Sequence, residues 1–373
     1  MKKLRDFVLI RYLVKELFLY FFITFLFFFV IFFFNNILVL AETILKQRVS
    51  VGMVMKLIWY SLPGVIAQSA PFATLVGFLM CLGRLVSDNE ILILRASGLE
   101  YAIIMLPVVL LGIVISIGSF FMNDYLLPIG TLKFNRLKKE IVHTNPAVEL
   151  ESNSIKRTND STLVLGEVDK NNVSDIIVFD TDEKGQQRII IANDSYVAKS
   201  ELKGILMELN MDDATVLFFD RNQKWNIDAL FAKSVMLNVF TSAFIDKSNR
   251  TAPREMTSFD LYKELKKMEK SEDTSPRILN NYKVEYNKKF SIPFGSFFFA
   301  LLAMPLALIF GKRSGQTIGA IIGLFISLVY WTLTFLGQAF GMKIGLSGFW
   351  AMWTPNLVIG LIGITLYIKL LEK

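Results

Sequence analysis

The 373-residue sequence predicts a polytopic α-helical membrane protein, with three transmembrane helices before an inserted β-domain and three after it. Two observations carry this. The stretches 17–41, 57–83, 101–123, 290–311, 314–342 and 344–368 contain no Asp, Glu, Lys or Arg. Each exceeds the roughly 20 apolar residues that a helix needs to cross a hydrocarbon core about 30 Å thick. Between the third and the fourth lies a hydrophilic block, 124–289, holding 51 of the 73 charged residues. A soluble enzyme, a collagen-like fibre and a disordered tail are excluded.

The block carries 25 basic and 26 acidic residues, a net of −1, so the membrane part carries +8 against the formal total of +7. The basic pI is therefore a topology signal and no sign of nucleic-acid binding. Lysine and arginine near span ends mark the cytoplasmic side. They cluster at Lys2, Lys3, Arg5, Arg11 and Lys15, at Arg84 and Arg95, at Lys312 and Arg313, and at Lys369 and Lys373. The opposite short loops offer Lys46, Arg48, Lys56 and Lys343. Both termini are then expected in the cytoplasm and 124–289 outside it. The first run is expected to stay as a span, because Phe18–Phe34 is longer than a signal-peptide core and no A-x-A site follows. Cys81 shows no lipidation motif. With one cysteine and one histidine, Cys81 and His143, an intrachain disulfide and a Cys- or His-based metal site are excluded.

Four parts follow from this: spans 1–3 over 1–123, a β-domain over 124–256, an amphipathic connector over 257–289, and spans 4–6 over 290–373. Short runs rich in Val, Ile, Leu and Phe predict strands at 162–168, 175–179, 188–192, 205–210, 214–219 and 235–244. Such strands suggest a sandwich or an open jelly roll. Leu261, Leu265 and Met268 lie at helical spacing, with Thr257 or Ser258 as the cap. Ser275-Pro276 opens a helix expected to run through Tyr286 into span four.

Catalytic signatures are missing. Gly311-Lys312-Arg313-Ser314 lacks the upstream glycine of a phosphate loop, and no H-E-x-x-H or G-x-S-x-G occurs. The spans hold no ionisable group well inside their runs, which counts against a proton-driven machine or a secondary transporter. The informative polar piece is Gly83–Gly98. There Ser87 and Glu90 have capping-box spacing and Gly98 supplies a stop, predicting a helix of about ten residues over 88–97. Ile91, Leu92 and Leu94 would give it an apolar face for a partner's groove. Asp88 and Glu90 sit at its positive dipole end. Closing the capping box is the plainer role for Glu90, and the two roles are compatible.

Several segments together resemble a known family. Arg11-Tyr12-Leu13-Val14-Lys15-Glu16 opens span one, and Pro71-Phe72-Ala73-Thr74-Leu75 precedes Gly83-Arg84-Leu85 and Ser87-Asp88-Asn89-Glu90-Ile91. Arg95-Ala96-Ser97-Gly98 closes that piece, and Met352-Trp353-Thr354-Pro355-Asn356-Leu357 falls in span six. These are similar to the LptF/LptG (YjgP/YjgQ) permeases over essentially the whole chain. The first and last segments lean towards LptF. The resemblance implies a periplasmic β-jellyroll domain and an ABC-type lipopolysaccharide exporter of the bacterial inner membrane. Its expected partners are a second LptF/LptG-type permease, a cytoplasmic LptB-like ATPase dimer and periplasmic LptC/LptA-like jellyroll proteins. ATP would be used by the partner, with no cofactor and no catalysis on this chain. The piece around 84–98 would be the coupling helix, with Glu90 paired to an ATPase arginine and Asp88, Arg84 and Arg95 in support.

Acyl chains need an apolar wall. The first span offers Phe28 and Phe32 with Asn35 and Asn36 beyond them, and the strands offer Ile205, Met207 and Phe218. The plainer reading makes such phenylalanines lipid-facing bulk and such strand residues ordinary core. Family members often carry basic residues at the outer end of span one to meet lipid A phosphates. Here 34–40 reads Phe-Asn-Asn-Ile-Leu-Val-Leu, so phosphate recognition falls to the partner or the cargo is a less phosphorylated glycolipid. A non-transporting scaffold or sensor with an external β-domain is the alternative class.

Overall fold

The computed structural model describes residues 2–45, 50–144, 150, 152–157, 161–169, 171–181, 187–200, 205–219, 227–240, 251–271, 275–311 and 314–372. Of 2–7, 41–45, 142–144, 199, 205, 206, 239 and 240 it describes the backbone alone. The chain divides into two compact units. One holds 1–38, 58–132 and 251–373, and the other holds 39–57 and 133–250.

The first unit is helical. The α-helices among the described residues, most of them within it, are α1 (Lys2–Leu45), α2 (Val51–Ser87), α3 (Glu90–Ala96), α4 (Tyr101–Phe121), α5 (Leu127–Thr144), α6 (Ser258–Lys270), α7 (Pro276–Phe310), α8 (Gly315–Lys343) and α9 (Gly348–Leu371). A π-turn, Met122–Leu126, joins α4 to α5. Six helical stretches are long and apolar enough to cross a membrane, three on each side of the sheet in sequence. Thr257 caps α6 as expected, its hydroxyl accepting from the Asp260 amide at 3.2 Å. The helix opening at Pro276 continues unbroken to Phe310.

Helix α2 is central: 83% of its most apolar window is buried, against 17% for α1. Small residues let backbones approach it, which is how helices associate where no hydrophobic effect separates them from lipid. Gly315, Gly319, Gly323 and Ser327 recur every fourth residue along α8, and all are buried. A Cβ on Gly315 would meet Gly83, one on Gly319 would meet Leu79, and one on Gly323 would meet Val76. On the other side of α2, Gly77 leaves room for the α1 backbone at Phe21.

Prolines inside these helices free carbonyls, and neighbouring helices satisfy them. Pro71 cannot donate to Ala67, whose carbonyl accepts from the Ser119 hydroxyl of α4 at 3.3 Å. Pro293 cannot donate to Lys289, whose carbonyl accepts from Asn123 Nδ2 of the π-turn at 3.0 Å. A buried pair also ties the last three helices together. Tyr330 Oη of α8 donates to Asn356 Oδ1 of α9 at 3.0 Å, and Asn356 Nδ2 donates to the Ser291 carbonyl of α7 at 2.6 Å.

The second unit holds the strands, which form one antiparallel sheet, together with the helical stretches 39–45, 51–57 and 133–144. Its strands are β1 (Ser154–Arg157), β2 (Ser161–Leu165), β3 (Val168–Asp169), β4 (Asn172–Thr181), β5 (Gln187–Lys199), β6 (Ile205–Phe219) and β7 (Ile227–Phe240). They pair in the order β1-β2-β4-β5-β6-β7, with β3 on β4. One face carries the core, including Leu163, Ile176, Ile190, Met207, Leu209 and Val216.

Here the strand expectations need correction. The runs 205–210 and 214–219 are a single 15-residue strand, and the last strand starts at Ile227 rather than 235. The end of that last expected run, 241–244, lies outside the described residues. The reason is a crease. Pairing is interrupted at Asp175 opposite Asn193, at Asn193 opposite Asp213, and at Asp213 opposite Lys233. Asp175 and Asp213 take left-handed φ of 50° and 48°. In β6 the buried positions are odd before the crease (Met207, Leu209, Met211) and even after it (Ala214, Val216). Each strand absorbs one extra residue in the same row, so register is kept and the same face stays inside. In the sequence this phase slip looks like a strand break.

Candidate functional site

Helix α3 stands at the end of the helical bundle where α2 finishes. Its local structure departs from the capping-box expectation. The helix has seven residues, not ten, and it begins after Asn89, which takes a left-handed φ of 59°. The Ser87 hydroxyl donates back to the Arg84 carbonyl at 3.0 Å, so it does not reach forward to cap α3. Left-handed Asn89 redirects the chain between the two helices, and Gly98, at φ 85°, ends the segment. Glu90 is engaged elsewhere: its Oε2 accepts from Tyr12 Oη of α1 at 2.9 Å.

The apolar face also differs from the expected one. Ile91 is buried in the bundle core and Leu94 packs against it. The outward pair is Leu92 and Ile93, each 65% exposed. Asp88 and Arg84 form an i,i+4 pair with Nε–Oδ2 of 4.0 Å. Arg84 Nη2 makes the shorter contact, 2.9 Å to Glu16 Oε2 of α1. Arg95 turns the other way, its guanidinium 4.0 Å from the Tyr101 ring centroid and its Nη1 donating to the Leu99 carbonyl at 3.3 Å. Thus Arg84, Asp88 and Glu90 lie on one network with α1, whereas Arg95 braces the start of α4.

Away from α3, a cavity of about 320 Å³ opens between α2, the π-turn, α7 and α8. Gln68, Phe72, Arg254, Lys288, Trp331 and Gln338 are among its lining residues. Lys288 pairs with Glu285 at 3.6 Å. Lys289 also lines the cavity but is 2% exposed, with Nζ donating to the Asn123 carbonyl at 3.3 Å and lying 3.9 Å from Asp124. Asp124 in turn accepts from the Ser258 amide and hydroxyl at 2.7 and 2.9 Å, which holds the start of α6. Lys289 is therefore a clamp between α7 and the π-turn, and it escaped the sequence reading because it borders an apolar run.

The residues expected along a lipid path are spread over both units. Phe28 is buried, its ring against Phe72 with centroids 5.8 Å apart, and Phe32 packs on the same ring at 5.7 Å. Asn36 donates to the Ser61 hydroxyl at 2.6 Å, while Asn35 is exposed. Met207 is fully buried in the sheet core and Phe218 packs against it. Ile205 opens β6, and its side chain lies outside the described residues, as do Lys46 and Arg48. Tyr12, Glu16 and Asn356 were visible only as motif letters, since no spacing rule shows what they touch.

Six membrane-length helices, three before and three after an antiparallel sheet in the sequence, with a short helix after the second, define a multi-pass permease of the 3+3 type. The chain matches the family described as lipopolysaccharide export system permease LptF/LptG over residues 11–369, and it belongs to that family. The family is a transport subunit of lipopolysaccharide export rather than a catalyst. A comparison with individual curated proteins gives no match.

Proposed function

We propose that this chain is the LptF-like transmembrane subunit of an ATP-driven exporter that extracts lipopolysaccharide or a related glycolipid from the inner membrane. The observation that carries it is α3, a seven-residue helix offering Leu92 and Ile93 outward beside the half-buried, Tyr12-held Glu90, from a bundle whose other outward apolar residues suit lipid. Two exposed aliphatic side chains beside a carboxylate fit a groove with a cationic wall on a soluble partner. In this reading that partner is a cytoplasmic LptB-like ATPase dimer, and an arginine on it meets Glu90. Both termini then lie in the cytoplasm. The sheet is a periplasmic jellyroll that hands lipid to LptC/LptA-like proteins, and a second permease completes the path.

Cargo phosphates, in the same reading, meet Arg254 and Lys288 at the cavity, because 34–40 offers them no cation. A cavity of about 320 Å³ is small for a whole glycolipid, so it takes part of a headgroup while acyl chains run outside along α1.

Co-purification with the ATPase tests the docking. Glu90→Arg is expected to abolish association and stimulated ATP hydrolysis, and unchanged association removes Glu90 from that role. Photocrosslinking from position 32 followed by mass spectrometry tests the cargo. Glycolipid is expected, less of it when Arg254→Ala and Lys288→Ala are combined, and bulk phospholipid alone refutes the assignment.

A further inference from the structure

The stripe Tyr12, Glu16 and Tyr20 runs along α1 at i,i+4 spacing, the geometry that puts side chains on one helical face. All three meet the α2–α3 corner. Tyr12 Oη donates to Glu90 Oε2 at 2.9 Å, Glu16 Oε2 accepts from Arg84 Nη2 at 2.9 Å, and the Tyr20 ring lies 5.6 Å from the Arg84 guanidinium carbon. Beneath them Leu13 and Leu17 are 1% and 0% exposed. Joints flank α3 on both sides, left-handed Asn89 before it and Gly98 after it. A seven-residue helix between two such joints transmits a push only if something ties it to a longer element.

We infer that Tyr12 and Glu16 are positioning residues that make α3 and α1 move together, so that a displacement of α3 is delivered to the phenylalanine-rich helix α1. This rests on the reading of α3 as the ATPase-docking element. Tyr12 grips the very carboxylate that faces the ATPase, through Oε2, and fixes its rotamer. Glu16 grips Arg84, one turn before the α2–α3 corner. Removing the Tyr12 tie leaves α3 able to dock while its movement is lost at the Asn89 joint, and removing the Glu16 tie frees the α2 side of that joint from α1.

The test uses the complete permease–ATPase complex in proteoliposomes containing lipopolysaccharide, with Tyr12→Phe, Glu16→Gln and Glu90→Arg compared. For Tyr12→Phe and Glu16→Gln the expected result is ATPase association, ATP hydrolysis and thermal unfolding close to the unmodified complex. Lipopolysaccharide extracted per ATP should fall about tenfold, the factor of one charge-assisted hydrogen bond. An unmodified lipid-to-ATP ratio in both variants overturns the inference, because a packing role alone does not move that ratio. Loss of association in Tyr12→Phe overturns it as well, by placing Tyr12 in docking. Glu90→Arg separates the two ideas: if it still binds the ATPase, the docking reading fails whatever Tyr12 does.

Discussion

Replacing Asn356 with leucine tests the polar knot that joins α7, α8 and α9. Asn356 is fully buried and bridges two helices, its Nδ2 donating to the Ser291 carbonyl and its Oδ1 accepting from Tyr330 Oη. Leucine keeps the branched outline of the side chain, with somewhat greater bulk, and removes both bonds. Interhelical hydrogen bonds in membranes average about 0.6 kcal/mol and reach about 1.7. Stranding a buried hydroxyl costs about 1–3 kcal/mol. Tyr330 is 4% exposed, so the cost applies to its hydroxyl. Asn356→Leu is therefore expected to destabilise by about 2–3 kcal/mol, and Tyr330→Phe by about 1 kcal/mol. The double variant should lose about 1 kcal/mol less than the two singles together, since the shared bond can be lost only once. Reversible unfolding in detergent micelles measures all four corners of the cycle. Strict additivity would show that the Tyr330–Asn356 bond carries no coupling, and the knot would then be simple packing.

Other outcomes follow from local geometry. Gly319→Leu drives a side chain into the α2 backbone at Leu79 and should cost at least about 1–3 kcal/mol of overpacking, with Gly319→Ala costing less. An unchanged thermal midpoint in detergent counts against the small-residue stripe as the α2–α8 seam. Asp213→Val places a β-branched residue at φ 48° in the crease, where left-handed backbone costs about 1–2 kcal/mol. Limited proteolysis should then cut the sheet faster, and equal rates would refute the strain argument.

The sequence determined the architecture by itself because its controlling forces are one-dimensional. Twenty apolar residues without a charge have one stable place in a bilayered cell, and the distribution of 73 charged residues set one hydrophilic block between two groups of three spans. The motif around Glu90 was legible for the same reason, as a polar interruption between two apolar runs. The small-residue repeat at 315, 319, 323 and 327 was equally present in the letters and passed unread, since glycine reports close approach only once a partner helix is known. What only the tertiary structure decided is which polar groups meet. Asn123 answers a carbonyl freed by Pro293, 170 positions along the chain. Tyr12 reaches Glu90 across 78 residues, and the short helix ends at Ala96 without the Ser87 cap. The sheet crease likewise depends on four strands placing their extra residue in one row. Composition sets what must leave water. Hydrogen bonds are directional and short, so their partners are settled only when helices and strands already lie side by side.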